Sequence, residues 1–375
     1  MTGWQMPPLN PPIFKFSDIS AGMNDKKNAF DLLRILLAAC VLITHGLVIG
    51  GYHFQDPLAY FSKNQTDLSE FGVMGFFSLS GFLIAASFER TGNVLVYLGH
   101  RALRILPGFW VCLLITAFIF APAIFLLTGR TVHDFKFAGK DSSLDFVLRN
   151  ILLKVQQWNI KDVLNHAAYQ ESLNGSLWSL FPELQCYIFT LVAGMTGLFR
   201  KNKFLYLIVA VIFLAFFAIN FNFSNNFGPT IFILSPAMKL YAAYLAGTSV
   251  YVFREQLILD KRGTLFLSAF TLLLLKFGGF KLMSPLLIAM SLINIFQLFE
   301  LKIRYDISYG VYIYGFVIQQ FLYALLGNRL HPSLFILLAL GGSVLIGLLS
   351  FLLIERPFMN LRKKADGTLR RFSTR

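Results

Sequence analysis

Charged residues are scarce in this chain. Of its 375 residues, 14% are Asp, Glu, Lys or Arg, whereas 56% are hydrophobic. A water-soluble domain needs a largely polar surface, and this composition cannot supply one for a chain of this length. The sequence therefore excludes a soluble enzyme or binding domain. It predicts an all-α fold, a polytopic membrane bundle of helices.

Cysteine is also rare, and so are the residue patterns that bind metals. The three cysteines all lie in apolar segments, at Cys40, Cys112 and Cys186. Such positions argue against disulfides, a metal cluster or a lipidated cysteine. His133 and His166 are isolated in a polar stretch and lack the spacing of metal ligands, so we expect no metal site.

Apolar windows of about twenty residues mark ten predicted membrane spans. They cover residues 30–50, 71–88, 105–127, 175–199, 204–220, 230–252, 263–278, 282–299, 308–326 and 333–354. If the N-terminus is cytoplasmic, the connecting segments on the inner side are the ones that contain most of the Lys and Arg residues. This positive-inside pattern predicts that both termini are cytoplasmic. This excess accounts for most of the net charge of +14 without a nucleic acid as partner.

The chain is predicted to contain one large domain with a short segment at either end. Residues 1–28 form a cytoplasmic segment without an apolar core, so we expect no cleavable signal peptide. Residues 29–355 form the transmembrane domain. Its outer loop, 128–174, is long enough to hold short helices and to serve as a lid or an acceptor surface. Residues 356–375 form a basic cytoplasmic tail.

The first span carries three ionisable residues, Asp31, Arg34 and His45, on an otherwise apolar helix. Eleven residues make just over three helical turns, so Arg34 and His45 share a face and lie roughly 16 Å apart along the axis. An ionisable group facing lipid costs at least about 2.5 kcal/mol, so we expect this line to face protein or a wet cavity. Alternatively, Asp31 and Arg34 form an interfacial ion pair and His45 only hydrogen-bonds a neighbouring helix.

Two further motifs are candidate ligand sites. Arg101 and Arg104 lie one turn apart ahead of Pro107, which is predicted to begin the third span, and their planar donor groups suit phosphate oxygens. The pair fits equally well as a positive-inside anchor among lipid headgroups. In the second span, Ser80 and Gly81 permit close approach of a ligand or, as simple packing, of another helix.

Other polar residues in the predicted spans need partners. Glu183 lies in apolar surroundings, and Arg34 and His45 are its candidate partners. Lys239, near the middle of a span, is expected to face the interior or a polar cavity rather than to snorkel.

The last two spans add three expectations. Gln319 and Gln320 need hydrogen-bond partners within the membrane. Tyr309 and Tyr312 fit either an interior polar line or an interfacial belt. Pro357 is predicted to end the last helix.

In chain order, six motifs carry a family resemblance. They are Phe30-Asp-x-x-Arg34 with His45, Gly75-Phe-Phe-x-Leu-Ser-Gly81-Phe, Arg101-x-x-Arg104-Ile-x-x-Gly108-Phe-Trp110, Asn174-Gly-Ser-Leu-Trp178 with Glu183, Ser308-Tyr-Gly-x-Tyr-x-Tyr, and Ile354-Glu-Arg-Pro-Phe. Together these motifs, over residues 28–362, resemble the acyltransferase-3 family of integral-membrane acylases.

The resemblance implies a donor, an acceptor and several site residues. The donor is cytosolic acyl-CoA, most simply acetyl-CoA, with no permanently bound cofactor. The acceptor is a hydroxyl of a surface polysaccharide, such as O-antigen, exopolysaccharide or capsule, or of its lipid-linked precursor, in the bacterial inner membrane. The family's essential histidine matches His45, its first-helix arginine Arg34, and its arginine pair Arg101 and Arg104. Many members have a histidine where this chain has Gly315, so that role is not carried over.

The residues fit acyl transfer independently of the family. A thioester-to-hydroxyl transfer needs a base of near-neutral pKa, and His45 is the candidate. Glu183 or Asp31 is a candidate to hold the imidazolium. Arg34 stays charged, so it suits stabilisation of negative charge or pairing with Asp31. Direct transfer and a covalent acyl-histidine relay both remain open.

Two other functions compete with the acyltransferase hypothesis. A transporter or flippase of a lipid-linked saccharide would use the same polar helix to line a path, although we find no internal repeat of the kind expected in transporters. A structural or sensing membrane subunit would need none of these polar residues. The expected partners are acyl-CoA, a saccharide acceptor and membrane lipids, and the sequence does not define an oligomeric state.

Overall fold

The computed structural model describes residues 29–91, 93–227, 237–301 and 303–361, with the side chains of 216–227 left aside. These residues form helices and loops without a strand, so the predicted all-α class is confirmed for them. The α-helices are α1 (Phe30–Ile49), α2 (Pro57–Phe61), α3 (Leu68–Thr91), α4 (Val94–Ile115), α5 (Ala121–Leu127), α6 (Ser143–Asn150), α7 (Leu180–Met195), α8 (Lys203–Phe227), α9 (Ala237–Val252), α10 (Arg254–Leu257), α11 (Lys261–Phe277), α12 (Phe280–Gln297), α13 (Ser308–Leu326) and α14 (Pro332–Ser350).

Six helical segments within the described ranges are long and apolar enough to cross a membrane. They are Phe30–Ile49, Leu68–Thr91, Val94–Leu127, Phe280–Gln297, Ser308–Leu326 and Pro332–Leu361. Each of the ten predicted spans contains a helix, but only these six segments of the described ranges are long and apolar enough to cross a membrane. The expected count of ten therefore stays a prediction. The start of the sixth predicted span, the segment 1–28 and residues 362–375 of the tail lie outside the described residues.

The boundaries that we expected from prolines are wrong in two helices. The third span does not begin near Pro107, because α4 begins at Val94 and continues through that proline. Pro357 does not end the last helix, which extends to Leu361. In both places the helix continues through the proline, so the local preference of proline does not set the helix boundary.

A wide helical turn explains how the last helix passes Pro357. The turn Phe351–Glu355 is a π-helix, in which the N–H of Arg356 bonds the carbonyl of Phe351. The π turn Thr116–Phe120 between α4 and α5 precedes Pro122 in the same way. A proline ring clashes with the carbonyl four residues back, and in both cases that carbonyl lies within the widened turn.

Close backbone contact between α3 and α9 fixes the centre of the bundle. A Cβ on Gly81 would lie 2.1 Å from the carbonyl oxygen of Tyr244, and one on Gly247 would lie 1.8 Å from that of Ser78. No side chain fits at either position. Gly81 therefore serves helix packing, which was the alternative to a role in ligand binding.

Helix α13 is tied to α1 and to the loop 128–174 by its two glutamines. Gln319 donates to the carbonyl of Leu42 at 2.7 Å, and Gln320 donates to the carbonyls of Tyr169 and Ser172 at 3.0 and 2.8 Å. The predicted need for partners is thus met. The loop holds the expected short helices, α6 and a 3-10 turn at Val132–Asp134, and its end lies against α13.

Candidate active site

Two cavities lie along α1, one toward each of its ends. The first has a volume of about 480 Å³ and is lined by α1, α3, α4, α7 and α13; we call it the arginine cavity. Its polar lining comprises Asp31, Arg34, Ser80, Ser87, Arg90, Arg101, Arg104, Ser179, Glu183, Tyr187, Ser308, Tyr309 and Tyr312. The second has a volume of about 590 Å³ and contains His45; we call it the histidine cavity.

The polar line predicted on the first helix faces these cavities. Arg34 and Asp31 line the arginine cavity, and His45 lines the histidine cavity. The expectation that the line avoids lipid is confirmed, and the eleven-residue spacing places one polar group in each cavity. Asp31 and Arg34 also form the i,i+3 ion pair of the alternative interpretation, at 3.3 Å.

A chain of five charged side chains lies beside the arginine cavity, and three of them, Asp31, Arg34 and Arg104, line it. Asp306, just before α13, accepts from Arg34 at 3.2 Å and from Arg104 at 2.8 Å. Arg34 also pairs with Asp31, and Arg104 with Glu355 at 3.3 Å. Burial raises the pKa of Asp306, but the nearby charges of Arg104 and Arg34 outweigh it, so the pKa falls to about 2. We call these five residues the charge network.

The two arginines of the Arg101 and Arg104 motif have separate roles in the structure, contrary to the expected two-pronged site. Arg104 is held by Asp306 and Glu355, so its charge is compensated. Arg101 instead donates to Ser87 at 3.3 Å and makes no ion pair with any described carboxylate.

Arg101 and Arg90 are the arginines of this cavity that lack an acidic partner within the described residues. The guanidinium of Arg101 lies 5.9 and 5.8 Å from the ring centres of Tyr97 and Tyr187, and its buried Nε has no hydrogen-bond partner there. Arg90 lines the same cavity and is exposed. A cavity with two guanidinium groups that make no ion pair with a described carboxylate is suited to an anion such as phosphate.

Glu183 and Asp31, expected to hold the imidazolium, lie in the arginine cavity rather than against His45. Glu183 accepts a hydrogen bond from Tyr187, and Asp31 pairs with Arg34. Of the two residues expected to bind the donor in α3, Ser80 lines the arginine cavity, but Gly81 does not, because it packs against α9.

His45 is half-buried and has few polar contacts. Its Nε2 lies 3.4 Å from the hydroxyl oxygen of Ser69, and the edge of its ring packs against Phe316 at 5.0 Å between centres. Its Nδ1 has no hydrogen-bond partner among the described residues. Thr44 links the neighbouring chain segments, since it donates to Asp56 at 2.5 Å and accepts from the N–H of Ser69 at 2.9 Å. The imidazole therefore lines the cavity and is held by few polar contacts, which suits a general base.

The rest of the histidine cavity combines carboxylates, a cation and aromatic rings. Lys239 pairs with Glu70, so the expectation that Lys239 faces a polar cavity is confirmed. Burial raises the pKa of Asp67 above its ordinary value. Trp178 and Tyr169 add aromatic surface. Hydrogen-bonding and aromatic groups of this kind suit a polyhydroxylated ligand.

The described residues contain no group of three or more His, Cys, Asp or Glu side chains arranged to hold a metal ion. Sequence reasoning missed the roles of five residues that line one of the two cavities or pair with a residue that does. They are Ser69, Arg90, Asp306, Tyr312 as a residue of both cavities, and Glu355 as a partner of Arg104.

The fold and these cavities define an all-helical, multi-pass membrane protein with a histidine in a polar cavity. The model of the family described as "Acyltransferase domain" matches residues 27–355. The chain belongs to this family, acyltransferase-3, which was expected from its six motifs.

Two curated proteins are similar over most of their length. An "O-acetyl transferase" of Shigella phage Sf6 is 27% identical over 345 residues, which cover 89% of this chain and 96% of that protein. "Nodulation protein 10" of Rhizobium leguminosarum bv. viciae is 26% identical over 371 residues, covering 90% of this chain and 94% of that protein. No solved structure matches the chain.

Proposed function

We propose that this membrane acyltransferase moves an acetyl group from acetyl-CoA to a hydroxyl of a cell-surface polysaccharide or its lipid-linked precursor. The observation that carries the proposal is the pair of adjoining cavities. One holds uncompensated arginines and the other holds His45, and α1 lines both. The name of the phage relative, "O-acetyl transferase", supports an acetyl donor and an oxygen acceptor.

The donor binds in the arginine cavity. Arg90 and Arg101 hold its phosphates, because their guanidinium groups have no acidic partner among the described residues. Arg104 and Arg34 belong to the charge network and act as positioning residues. From Arg34 to His45 the helix rises roughly 16 Å, a distance that an extended thioester arm bridges.

His45 acts as the base in the histidine cavity. One ring nitrogen takes the proton of the acceptor hydroxyl, whose oxygen attacks the thioester carbonyl. The C–O bond forms, the C–S bond breaks, and the leaving thiolate takes the proton back from the imidazolium. The products are the acetyl ester and the free thiol. A positioned base of this kind contributes about 10²- to 10⁴-fold to the rate.

The acceptor enters at the other end of α1. Trp178 and Tyr169 offer faces on which a sugar ring stacks, and Asp67 and Glu70 offer acceptors for its hydroxyls. Tyr169 belongs to the loop 128–174, so this loop forms part of the acceptor surface.

The topology that suits this reaction has ten membrane crossings and both termini in the cytoplasm of a bacterium, with the protein in the inner membrane. Then the arginine cavity opens toward the cytoplasm, where acyl-CoA is found, and the histidine cavity toward the outer side. The excess of Lys and Arg in the inner segments supports this orientation.

A comparison of surface glycans tests the proposal. Glycan from cells with the gene is expected to show O-acetyl signals in proton NMR that are missing from cells without it and from cells that carry His45→Ala. Acetylation that persists with His45→Ala at an unchanged membrane level contradicts the proposal. Continued saccharide transport by that variant, with no release of CoA thiol by the wild type, supports a flippase instead.

A further inference from the structure

The two cavities share two lining residues, Val73 of α3 and Tyr312 of α13. We call this shared boundary the neck. Both side chains are 7% exposed. The hydroxyl of Tyr312 shares a 2.8 Å hydrogen bond with Ser179, and its ring packs edge-on against Phe76 at 5.6 Å between centres. The ring of Tyr312 is therefore fixed from two sides.

The helices on both sides of the neck are backed by close backbone contacts. A Cβ on Gly72, the residue before Val73, would lie 2.8 Å from the carbonyl oxygen of Leu37 in α1. A Cβ on Gly310, two residues before Tyr312, would lie 2.7 Å from the Cα of Gly347 in α14. These contacts hold α3 against α1 and α13 against α14, and Val73 and Tyr312 are the side chains of the two helices that line both cavities.

The proposed function, on which this inference rests, requires the donor to pass through the neck. Its phosphates lie with Arg90 and Arg101, whereas His45 lines only the histidine cavity. The thioester carbonyl and the attacking hydroxyl must approach to about 3–3.5 Å. The acyl end therefore lies between or beyond Val73 and Tyr312 when the reaction occurs.

We propose that Val73 and Tyr312 select the acyl group by its length, accepting acetyl and rejecting butyryl. Each extra methylene of the acyl chain needs volume at a boundary whose side chains are buried and held. Close-packed protein interiors resist such additions. One methylene in a tight apolar site changes kcat/KM by about 10- to 200-fold.

Transfer of labelled acyl groups tests the neck. Membrane vesicles with the enzyme receive acetyl-, propionyl- or butyryl-CoA, together with the polysaccharide and lipid-linked saccharide fraction of cells that lack the gene. We expect the wild type to transfer butyryl at least about 10-fold more slowly than acetyl. Val73→Ala is expected to raise the ratio of butyryl to acetyl transfer about 10-fold.

A second substitution and a matched control separate the outcomes. Tyr312→Phe keeps the ring but removes the bond to Ser179, and we expect it to raise the same ratio by a smaller factor. Val250→Ala makes the same truncation at a buried site of α9 that lines neither cavity, and the ratio should not change.

Each possible result bears on one of the two claims. Selection at the neck is overturned if the wild type transfers acetyl and butyryl equally. It is also overturned if Val73→Ala, present at the wild-type level and active with acetyl, leaves the ratio of butyryl to acetyl transfer unchanged. Either result leaves the acetyltransferase function intact. Failure of the wild type to transfer any acyl group from CoA overturns the proposed function and this inference with it.

Discussion

The arginine cavity and the histidine cavity lie at opposite ends of α1 and are built differently. In the first, Asp306 joins Arg34 and Arg104 in one charge network whose members are linked by ion pairs of 2.8 to 3.3 Å. In the second, His45 makes a single 3.4 Å polar contact, with Ser69. The first is a rigid platform, while the imidazole of the second is left free for proton transfer.

This difference predicts that substitutions at the two ends of α1 have different consequences. Removal of Asp306 takes one of two carboxylate partners from each arginine of the charge network, so the free energy of unfolding should fall. His45 makes no ion pair among the described residues, so its removal leaves no charge without a partner. The rate of acyl transfer should therefore fall while the free energy of unfolding stays close to that of the wild type.

The largest expected effect is that of His45→Ala. We expect acyl transfer to fall by about 10²- to 10⁴-fold because the general base is lost. The thermal midpoint in detergent should stay close to that of the wild type. The measurement is acetyl ester formed per amount of enzyme in membranes.

His53→Ala is the matched control for that variant, because His53 is an exposed histidine in the loop after α1. It should retain full activity. If His45→Ala instead lowers the thermal midpoint and leaves the rate per folded molecule unchanged, then His45 serves stability, and the proposed difference between the two cavities is wrong.

The second effect is that of Asp306→Asn. Loss of this carboxylate leaves Arg34 with Asp31 alone and Arg104 with Glu355 alone. Breaking buried ion pairs of this kind costs about 3 kcal/mol, the lower end of the range because both arginines are partly exposed. The measurement is the denaturant midpoint of the purified protein. Ser308→Ala, which removes only the hydroxyl that donates to Asp306 at 2.5 Å, should cost clearly less.

The same residue predicts a dependence on pH. The pKa of Asp306 falls from 3.8 to about 2 in the folded protein, because the effect of Arg104 and Arg34 exceeds that of burial. A lowered pKa means that the carboxylate stabilises the fold above pH 4 and that this contribution is lost as the pH falls toward 2. The stability difference between wild type and Asp306→Asn should therefore shrink over that interval. A constant difference would contradict the ion pairs.

The sequence predicted features within one helix better than contacts between helices. The period of α1 correctly assigns Arg34 and His45 to one cavity-facing line. It could not reveal Asp306 or Glu355 as partners, because they lie more than 200 positions away in the chain from the residues that they bind. From the sequence, Asp306 could be described only as an acidic residue just before the ninth predicted span.

Proline and glycine were misread for similar reasons. Pro357 signals a helix end, but the π turn before it accommodates the ring, and such a turn depends on the packing of the whole helix. Gly81 is compatible with a ligand or with a neighbouring helix, and only the position of Tyr244 decides between them. Local patterns leave these choices open because the deciding atom belongs to another helix.

The third effect separates the unpaired arginine from the paired one. Arg101→Ala is expected to raise the KM for acetyl-CoA by about 10- to 100-fold, since a hydrogen bond to a charged group contributes about 1.5–3 kcal/mol. Stability should change little because Arg101 has no carboxylate partner in the described chain. Steady-state kinetics at saturating acceptor measure the KM.

Arg149→Ala serves as its control, because it removes an arginine of the loop 128–174 that pairs with Asp145 away from both cavities. Its KM should match that of the wild type. If Arg104→Ala raises the KM as much as Arg101→Ala without loss of stability, then the two arginines act together on the donor and the charge network is not a separate platform.

The smallest effect distinguishes two serines of α3, Ser69 in the histidine cavity and Ser80 in the arginine cavity. Ser69→Ala removes the hydroxyl 3.4 Å from Nε2 of His45, and a hydrogen bond contributes about 0.5–1.5 kcal/mol, so kcat should fall about 2- to 10-fold with the KM for acetyl-CoA unchanged. Ser69→Thr keeps a hydroxyl and should restore most of the rate. Ser80→Ala should instead raise the KM and leave kcat alone. If Ser69→Ala and Ser80→Ala change the same kinetic constant, then donor binding and proton transfer are not divided between the two cavities. The assignment of one task to each cavity would then be wrong.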